Sequence, residues 1–473
     1  MKTLTALAIT AALAQTMAFG ADPPPASGAA PSMVVLHCGR LFDAAAGKMM
    51  GATTIVAAGK RIRDVKPGFV DADSIRAAGP QPESFTVVDL KDATCLPGLI
   101  DAHTHLTSQT SPTGYTDKFR WNIADYAIRS TVYARRTLEA GFTTVRNVGD
   151  IANESAALRD AINAGIVPGP RIFTAGKAIG STGGHADPTD GYRRDLAGDP
   201  GPMRGIINSP DDAWKAVREH YKEGDDLIKI MPSGGVLDES ASVDNAQLTI
   251  DEIKAVVAAA HDYGFTVAAH AHGAEAIRRA IIGGVDSIEH GTFMDDADMK
   301  LMKEHGTWYV PTIIAGKFVE EKASVPGYYP AQIAEKARMV GPIIQATAGK
   351  AYKAGVKIAF GTDAAVYPHG QNAKEFQYMV EAGMPTAFVL QAATTHAAEL
   401  LKKSKDLGTV EPGKFADVIA VAGNPLDDIK LMQKVGFVMK DGVVYKENGK
   451  PMTPVAQADA PPPIAQDEEL LGY

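Results

Sequence analysis

Between residues 96 and 365 the chain alternates eight times between a short apolar segment and an amphipathic one. The apolar segments have the length and composition of buried strands, and the segments between them have helical spacing. When a helix connects two strands, the second strand can lie parallel to the first in the same sheet. Eight such repeats predict an α/β protein with a (β/α)8 barrel of the TIM type. The predicted strands are LPGLIDAHTHL, FTTVRNVG, RIFTAGKAIG, DLIKIMPSGG, FTVAAHAHG, DSIEHG, TWYVPTI and KIAFGTDAA.

One helix and two loops stand out among the connections. In TIDEIKAVVAAAHDYG, Thr249 and Glu252 have the spacing of a capping box, and Gly264 ends the helical pattern. Two connections are predicted to be long loops: Ser181 to Pro210 after the third strand and Ile313 to about Gln332 after the seventh. Long loops at the carboxyl ends of barrel strands shape substrate pockets.

The two ends of the chain differ from the middle. Residues 33–92 and 405–449 consist of short β-rich pieces separated by turns, of which AGK and KDG are typical of hairpins. They predict one small β-sandwich domain, assembled from both segments, beside a barrel over residues 93–404.

The termini carry processing and linker signals. Residues 1–20 contain Lys2, an apolar run and small residues at Ala18 and Gly20, which is typical of a secretory signal peptide. A Pro- and Ala-rich linker over 21–32 and a tail over 450–473 complete the domain prediction. We therefore expect an exported protein, periplasmic or secreted; a retained N-terminal anchor is the alternative.

Charge and cysteine content narrow the choice of partners. The formal net charge is −9, and the basic residues are dispersed, which indicates neither a nucleic acid nor a membrane partner. A small-molecule substrate is the expected partner. Export allows a disulfide, and the sequence leaves open whether Cys38 and Cys95 pair or remain as buried thiols. Neither has the spacing of a metal ligand.

Two histidines end the first predicted strand of the barrel. Alternate residues of a strand share a face, so His103 and His105 point the same way and Thr104 points away. In a barrel the shared face is the interior. The apolar PGLID run before them makes this a buried strand rather than a solvent loop, so the two imidazoles form a chelating pair.

Lys229 lies inside the apolar fourth strand, where an unpaired ammonium is costly to bury. One interpretation is that Lys229 neutralises a nearby acid. The other is that its neutral amine reacts with carbon dioxide and gives a carbamate, whose two oxygens can bridge two metal ions. The surrounding histidines favour the carbamate.

Further candidate ligands end the fifth, sixth and eighth strands. His270 lies deeper in its strand than His272, so His270 is the better ligand and His272 the candidate substrate contact. His290 ends the sixth strand, and Asp363 ends the eighth, where it suits both metal binding and proton transfer. Each histidine taken singly is compatible with a structural role. The other six are interpreted as structural or solvated: His37, His220, His261, His305, His369 and His396.

The argument for metal rests on joint placement. Four histidines, one lysine and one aspartate lie at the ends of five strands that meet on one rim. Nitrogen and oxygen donors without thiolate favour two zinc ions or similar divalent ions. A hydroxide shared by two such ions would be a nucleophile that attacks a carbonyl group. This predicts hydrolytic chemistry.

At these residues the chain resembles the amidohydrolase superfamily. The likeness covers nearly everything after the linker and rests on PGLIDAHTH, IKIMPSGG, VAAHAHG, SIEHG, GTDAA and GTVEPGKFADVIAV. Carried over by position, the resemblance implies two metal ions, an N6-carboxylated lysine and a catalytic aspartate. The implied metal ligands are His103, His105, Lys229, His270, His290 and Asp363.

Within the superfamily the chain is most similar to the imidazolonepropionase-like and Xaa-Pro dipeptidase-like branch, which includes secreted ochratoxin-degrading amidohydrolases. TGGHAD and GVDSIEHG carry this likeness. It implies hydrolysis of an amide or peptide bond with release of a C-terminal amino acid, in an enzyme that assembles as a homo-oligomer. His185 in TGGHAD is then a substrate contact, or a loop histidine that caps its own turn.

The same residue pattern is also compatible with other functions on this barrel. HGAE, from His272 to Glu275, resembles the His-x-x-Glu of mononuclear deaminases, although Glu275 suits the start of the next helix better. A cyclic amide hydrolase shares the mechanism. A binding or scaffold protein without turnover is the non-enzymatic alternative, and the intact ligand set argues against it.

Overall fold

The computed structural model describes residues 32–78, 82–111, 113–238 and 242–452. The expected signal peptide, the linker up to residue 31 and the tail beyond residue 452 lie outside these residues. The mixture of helices with parallel and antiparallel strands confirms the α/β class predicted from the sequence.

Five strands come first along the chain, in the β-rich segment at the N-terminal side. The turn between the third and the fourth falls at Gly59, which has a φ of 54° and so suits a tight hairpin. The fifth runs through the expected domain boundary at residue 92. These strands are Met33–Asp43 (β1), Lys48–Met50 (β2), Thr53–Ala58 (β3), Arg61–Pro67 (β4) and Phe85–Pro97 (β5).

Seven further strands lie inside the first seven predicted barrel strands. They pair in parallel, in one sheet of three strands and one of four. Nearly all of their residues are buried, as expected for strands covered on both faces. They are Leu99–Thr104 (β6), Phe142–Asn147 (β7), Arg171–Thr174 (β8), Ile228–Ile230 (β9), Val267–Ala271 (β10), Ser287–His290 (β11) and Trp308–Val310 (β12).

Three parallel bridges join these sheets to each other and to residues 358–364, which lie inside the eighth predicted strand, KIAFGTDAA. Ile179 just after β8 pairs with Ile230 of β9, and Tyr309 of β12 pairs with Ile358. Ala364 then pairs with Thr104 of β6. We call β6 to β12 together with residues 358–364 the parallel ring. Its strands follow each other in chain order.

Fourteen helices are present among the described residues: the first lies between β4 and β5, and the others connect the strands of the parallel ring or follow its last segment. They are Ala72–Ala77 (α1), Gly114–Asp117 (α2), Ile123–Glu139 (α3), Glu154–Asn163 (α4), Arg194–Ala197 (α5), Pro210–Glu223 (α6), Ile250–Asp262 (α7), Ala274–Gly283 (α8), Asp296–His305 (α9), Ile313–Ala323 (α10), Ala331–Ala354 (α11), Lys374–Glu381 (α12), Thr386–Gln391 (α13) and Ala397–Leu400 (α14). Short 3-10 turns cover Pro202–Arg204 and Ile429–Gln433, and a π-helical turn covers Ala392–His396.

Helix α7 begins with the capping box expected from the sequence. The Thr249 hydroxyl accepts a hydrogen bond from the backbone N–H of Glu252 at 3.3 Å. The Glu252 carboxylate in turn accepts one from the backbone N–H of Thr249 at 2.8 Å. Gly264 follows the helix with a φ of 76°. Local sequence alone therefore determines both ends of this helix.

Of the two predicted long loops, one is confirmed and one is wrong. Residues 181–209 form a long connection with only short helical turns. The segment after β12 is instead helix α10, because a distant carboxylate caps it. Glu375 of α12 accepts hydrogen bonds from the backbone N–H groups of Ile313 and Ile314, at 2.9 and 2.7 Å. No local residue pattern predicts this cap, because Glu375 is distant from α10 in the sequence.

The C-terminal strands return to the first five. They are Val418–Ala422 (β13), Val435–Lys440 (β14), Val443–Glu447 (β15) and Lys450–Pro451 (β16). Within the described residues, β1 to β5 and β13 to β16 form one nine-stranded sheet, in which β13 pairs with β5. Both halves contribute to one apolar cluster that includes Leu36, Ile55, Val418 and Phe437. A sheet assembled from both chain ends is present; that it forms a separate β-sandwich domain stays a prediction.

Cys38 and Cys95 form a disulfide that joins β1 to β5, so the alternative of two free thiols does not hold. Both residues are fully buried in the apolar cluster of the nine-stranded sheet. In the part of the chain that the structure describes, no helix is both long and apolar enough to cross a bilayer.

We expect the Cys38→Ala/Cys95→Ala double variant to unfold more easily than the parent. The disulfide closes a loop with a sequence separation of 57, and its loss should lower the free energy of unfolding by about 4 kcal/mol through chain entropy. Urea titration followed by circular dichroism measures the difference. Reducing agent should bring the parent to the level of the variant, and equal midpoints under oxidising conditions would contradict the contribution of this bond.

Candidate metal centre

The chelating pair expected on β6 meets the aspartate expected from the eighth strand. The Nε2 atoms of His103 and His105 lie 3.5 and 3.3 Å from Oδ1 of Asp363. One ligand atom from each of the three residues lies within 4.8 Å of the others. The backbone N–H of Asp363 donates to the carbonyl of His103 at 2.7 Å, which fixes the two segments against each other.

The remaining imidazoles predicted from the sequence adjoin this group. The ring of His290 lies 4.8 Å from that of His103 and 4.7 Å from that of His270, measured between centroids. His272 lies 4.8 Å from His270 and 5.0 Å from His290. Both His272 and His290 are buried, so His272 belongs to the same cluster and not to its solvent-exposed edge.

Lys229 of β9 faces the same cluster and is 1% exposed. Burial lowers the pKa of its ammonium to about 8, with Glu289 and Asp363 acting against the shift. The charge of Lys229 in turn helps to lower the pKa of His103, His270 and His290. The structure therefore brings all six candidate ligands together around one space.

Each of the four candidate histidine ligands has one ring nitrogen held by the protein. A histidine that donates through one nitrogen keeps a lone pair on the other, which is the state a metal ion requires. The Nε2 atom of His103 is buried without a hydrogen-bond partner among the described residues. The contacts are His103 Nδ1 to Glu289 (2.7 Å), His105 Nδ1 to the Gly149 carbonyl (3.0 Å), His270 Nε2 to the Gly234 carbonyl (3.1 Å) and His290 Nδ1 to the Thr312 hydroxyl (2.7 Å).

Glu289 is a central residue that the sequence reasoning missed. Its carboxylate accepts hydrogen bonds from His103 at 2.7 Å, from Arg146 at 2.7 Å and from Ser287 at 2.5 Å. Burial opposes its ionisation, but the Arg146 guanidinium and the His103 hydrogen bond lower its pKa to about 2. A signal was present: Glu289 in SIEHG and Arg146 in FTTVRNVG are charged residues within buried strands, and each needs a partner.

Asp101 is a second missed residue and supports β6 from below the cluster. Its carboxylate accepts hydrogen bonds from the Thr362 hydroxyl at 2.6 Å, from the Asn372 amide at 2.8 Å and from the backbone N–H of His103 at 3.1 Å. Complete burial raises its pKa to about 7 despite these bonds. Asp101 thus joins the first strand of the parallel ring to the segment that carries Asp363.

The backbone is strained where the side chains turn into the cluster. His290, Thr312 and Asp363 have φ values of 68°, 52° and 59°, in the left-handed region that residues with a Cβ rarely adopt. Strain of this kind persists where the surrounding structure holds it, and it concentrates at functional sites. Here it lies at two candidate ligands and at the hydroxyl that holds one of them.

The two residues expected to contact substrate differ in their surroundings. His185 lies at the mouth, partly exposed, with its ring 4.4 Å from that of His270 and its Nδ1 2.6 Å from Asp238. It therefore does more than cap its own turn. His272 is buried and bonds the Thr292 hydroxyl at 2.8 Å.

The six histidines interpreted as structural lie outside the cluster. His220, for example, is buried against Asp225 at 2.7 Å, and His305 is exposed at the end of α9. His369 comes nearest to the cluster: its ring stacks on Tyr133 with centroids 4.8 Å apart, and its Nε2 donates to the Ser108 carbonyl at 2.8 Å.

Comparison with known proteins decides the family. Residues 94–445 match the model of the Amidohydrolase family. The chain belongs to this family. The match covers every candidate ligand, and members of the family generally bind metal, in keeping with the His103, His105 and Asp363 group.

Two relatives of this amidohydrolase have informative names. Ochratoxinase from Aspergillus niger is 32% identical over 372 residues, which cover 75% of this chain and 76% of the relative. Its crystal structure superposes with a TM-score of 0.76 at 28% identity and covers 89% of this chain and 96% of its own. A Xaa-Pro dipeptidase with bound methionine in the active site superposes with a TM-score of 0.82 at 48% identity, over 88% and 100% of the two chains. The chain is a hydrolase of this family.

We expect Arg146→Met to destabilise the amidohydrolase by about 3–5 kcal/mol, because it leaves the buried Glu289 carboxylate without its cation. Urea unfolding of metal-depleted protein measures the loss. Combining Arg146→Met with Glu289→Gln should recover part of it, since no uncompensated charge then remains. If the two single changes simply added, the pair would not be coupled as its 2.7 Å contact indicates.

Proposed function

We propose that the protein is an exported, metal-dependent amidohydrolase that splits an amide or peptide bond and releases a C-terminal amino acid. The observation that carries the proposal is the convergence of four oriented imidazoles, Lys229 and Asp363. Relatives named ochratoxinase and Xaa-Pro dipeptidase support the choice of bond. N-acyl amino acids, dipeptides and ochratoxin-like amides are the proposed substrates.

The residues present fit two divalent metal ions. In each of the four histidines, one ring nitrogen binds a protein partner and the other is available to a metal ion. The Nε2 of His103 is buried without a hydrogen-bond partner among the described residues, and the donor set contains no thiolate. Nitrogen and oxygen donors favour zinc. When bound, the ions would supply a water of near-neutral pKa and a Lewis acid for the scissile carbonyl. The proposed ligands are His103, His105, Lys229, His270, His290 and Asp363.

Lys229 would contribute as a carbamate. Burial lowers its pKa to about 8, so a substantial fraction of its amine is neutral near that pH. The Nζ lone pair forms a bond to the carbon of carbon dioxide, one C–O π bond opens, and a proton leaves to solvent. The two carbamate oxygens then replace a buried ammonium with a negative group, which suits the cluster once cations are bound.

Asp363 would transfer the proton. Burial alone would raise the pKa of its carboxyl, but the neighbouring imidazoles of His105 and His103 hold that pKa well below its ordinary value. The ionised carboxylate is therefore available to take a proton from the attacking water and pass it to the leaving nitrogen. Asp363 has a left-handed backbone, and its Oδ1 lies 3.5 and 3.3 Å from the Nε2 atoms of His103 and His105.

The geometry argues against the mononuclear deaminase. Glu275, the general acid in the HGAE interpretation, lies in the first turn of α8 with 55% of its side chain exposed. It pairs with Arg278 and Arg279 on the surface. A proton-transfer residue needs to reach the reacting atoms, and this one faces solvent.

The proposal extends to the rest of the chain. The parallel ring acts as a (β/α)8 barrel over about residues 93–404, and the nine-stranded sheet as the β-domain of 33–92 and 405–449. The disulfide agrees with export to an oxidising compartment through the signal segment 1–20. The substrate is a small molecule, neither nucleic acid nor membrane is a partner, and the enzyme assembles as a homo-oligomer.

We expect about two zinc ions per chain and release of free amino acid from a panel of N-acyl amino acids and dipeptides. Elemental analysis and an amino-acid release assay measure both. Chelation should abolish turnover, and zinc with bicarbonate should restore it. One ion per chain would support a mononuclear site instead, and no turnover across the panel in the loaded enzyme would sink the proposed reaction.

We expect Lys229→Ala to lose bound metal and turnover together, because one of the proposed ligands would be missing. Short carboxylic acids such as acetate or formate should restore part of both by occupying the space of the carbamate. Lys300→Ala is the matched control, since its side chain is 76% exposed on α9. Full metal content and activity in Lys229→Ala would contradict the carbamate.

A further inference from the structure

We propose that Asp238 and Lys336 are positioning residues, which hold the imidazole of His185 in one tautomer and one orientation at the mouth of the metal centre. The inference rests on the proposed function, in which His185 contacts substrate. Asp238 lies in the loop after β9, and Lys336 lies in helix α11. Neither of these elements carries a proposed metal ligand.

The two oxygens of the Asp238 carboxylate accept hydrogen bonds from three donors: an imidazole, a backbone N–H and an ammonium. Its Oδ2 lies 2.6 Å from Nδ1 of His185 and also accepts the backbone N–H of Gly235 at 3.0 Å. Its Oδ1 accepts a hydrogen bond from the ammonium of Lys336 at 2.7 Å. A carboxylate accepts on both oxygens, so both neighbours are satisfied as donors. His185 therefore carries its proton on Nδ1 and directs Nε2 elsewhere.

Lys336 fixes the loop that carries Asp238. The residue is 3% exposed, and its ammonium also donates to the carbonyls of Gly235 and Asp238, both at 2.9 Å. An ammonium has three donors, and here each finds an oxygen of residues 235–238. Around it, α10 and α11 pack against Val236 in an apolar cluster, which strengthens the ion pair by excluding water.

The ring of His185 is confined from two sides. A Cβ on Gly235 would lie only 2.1 Å from its Cε1, so the ring lies directly on the glycine backbone. On the other side the His270 ring lies 4.4 Å away at a tilt of 32°. With Nδ1 held by Asp238, the Nε2 atom is the polar group that His185 can offer to a substrate next to the candidate ligands.

The Asp238→Asn variant tests which ring nitrogen of His185 donates and which accepts a hydrogen bond. An amide has one acceptor oxygen and one NH2 donor, whereas the ammonium of Lys336 can only donate. The charged ammonium of buried Lys336 outweighs the neutral backbone N–H of Gly235, so the oxygen turns to Lys336 and the Gly235 hydrogen bond is lost. The NH2 then faces His185, which must accept at Nδ1 and move its proton to Nε2. The substrate then meets a donor where the parent enzyme offers an acceptor.

We expect Asp238→Asn to lower kcat/KM by about 10–100-fold, mainly through KM, with unchanged metal content. Adding Lys336→Met should restore part of the loss, because the single amide oxygen is then free to face His185 again. His185→Gln sets the floor for both. A merely structural pair gives the opposite order, in which the double variant is worse than either single change.

Gly235→Ala provides a steric counterpart without any change of charge. Its Cβ would displace the His185 ring and should raise KM toward the value of His185→Gln. Melting temperature and zinc content of every variant are measured alongside the kinetics. A fall in metal content that accounts for the lost activity would overturn the positioning role, as would parental KM in Asp238→Asn.

A readout independent of turnover separates this inference from the proposed function. In zinc-loaded protein with 15N-labelled histidine, the His185 resonances, assigned by their loss in His185→Gln, should indicate a protonated Nδ1 in the parent. In Asp238→Asn they should indicate a protonated Nε2. Unchanged resonances in Asp238→Asn would overturn the inference even in an active enzyme. Absence of turnover in the parent would overturn the proposed function alone.

Discussion

Parallel pairing of the strands in the parallel ring is the constraint on which the site depends. In a ring of parallel strands every carboxyl end lies on the same rim, so residues that are distant in the chain become neighbours when each ends a strand. His103 at the end of β6 and Asp363 at the end of the last segment meet because Thr104 pairs with Ala364 and closes the ring. The donors lie on the ring, and the helices outside it hold them there.

The buried candidate ligands are accompanied by further buried charged groups, which hold them in place. Glu289 would be costly in an apolar strand, and it is satisfied by Arg146 from β7 and His103 from β6. The same contact sets the tautomer of His103 and leaves its Nε2 for a metal ion. One carboxylate thus links three strands and orients a candidate ligand. The requirement for stability and the requirement for the site coincide in this residue.

The outer helices pack against the ring, and two of them also hold the loops at its rim. Glu375 of α12 caps α10, and Lys336 of α11 binds the loop after β9, where Asp238 holds His185. Groups that hold the proposed metal ions therefore belong to the ring, whereas groups that adjust the substrate contact belong to its surroundings.

The sequence by itself determined the class of the fold, seven of the eight predicted strand segments and the start of α7, and it predicted residues that the structure brings together in the candidate centre. Each of these depends on local periodicity or on a polar residue at the end of an apolar run, as with His103 and Asp363. The partners of those residues were decided only in three dimensions. Glu289, Asp101 and Asp238 act through neighbours from other strands and helices. The cap of α10 by Glu375 and the disulfide between Cys38 and Cys95 likewise depend on distant segments that only folding brings within bonding distance.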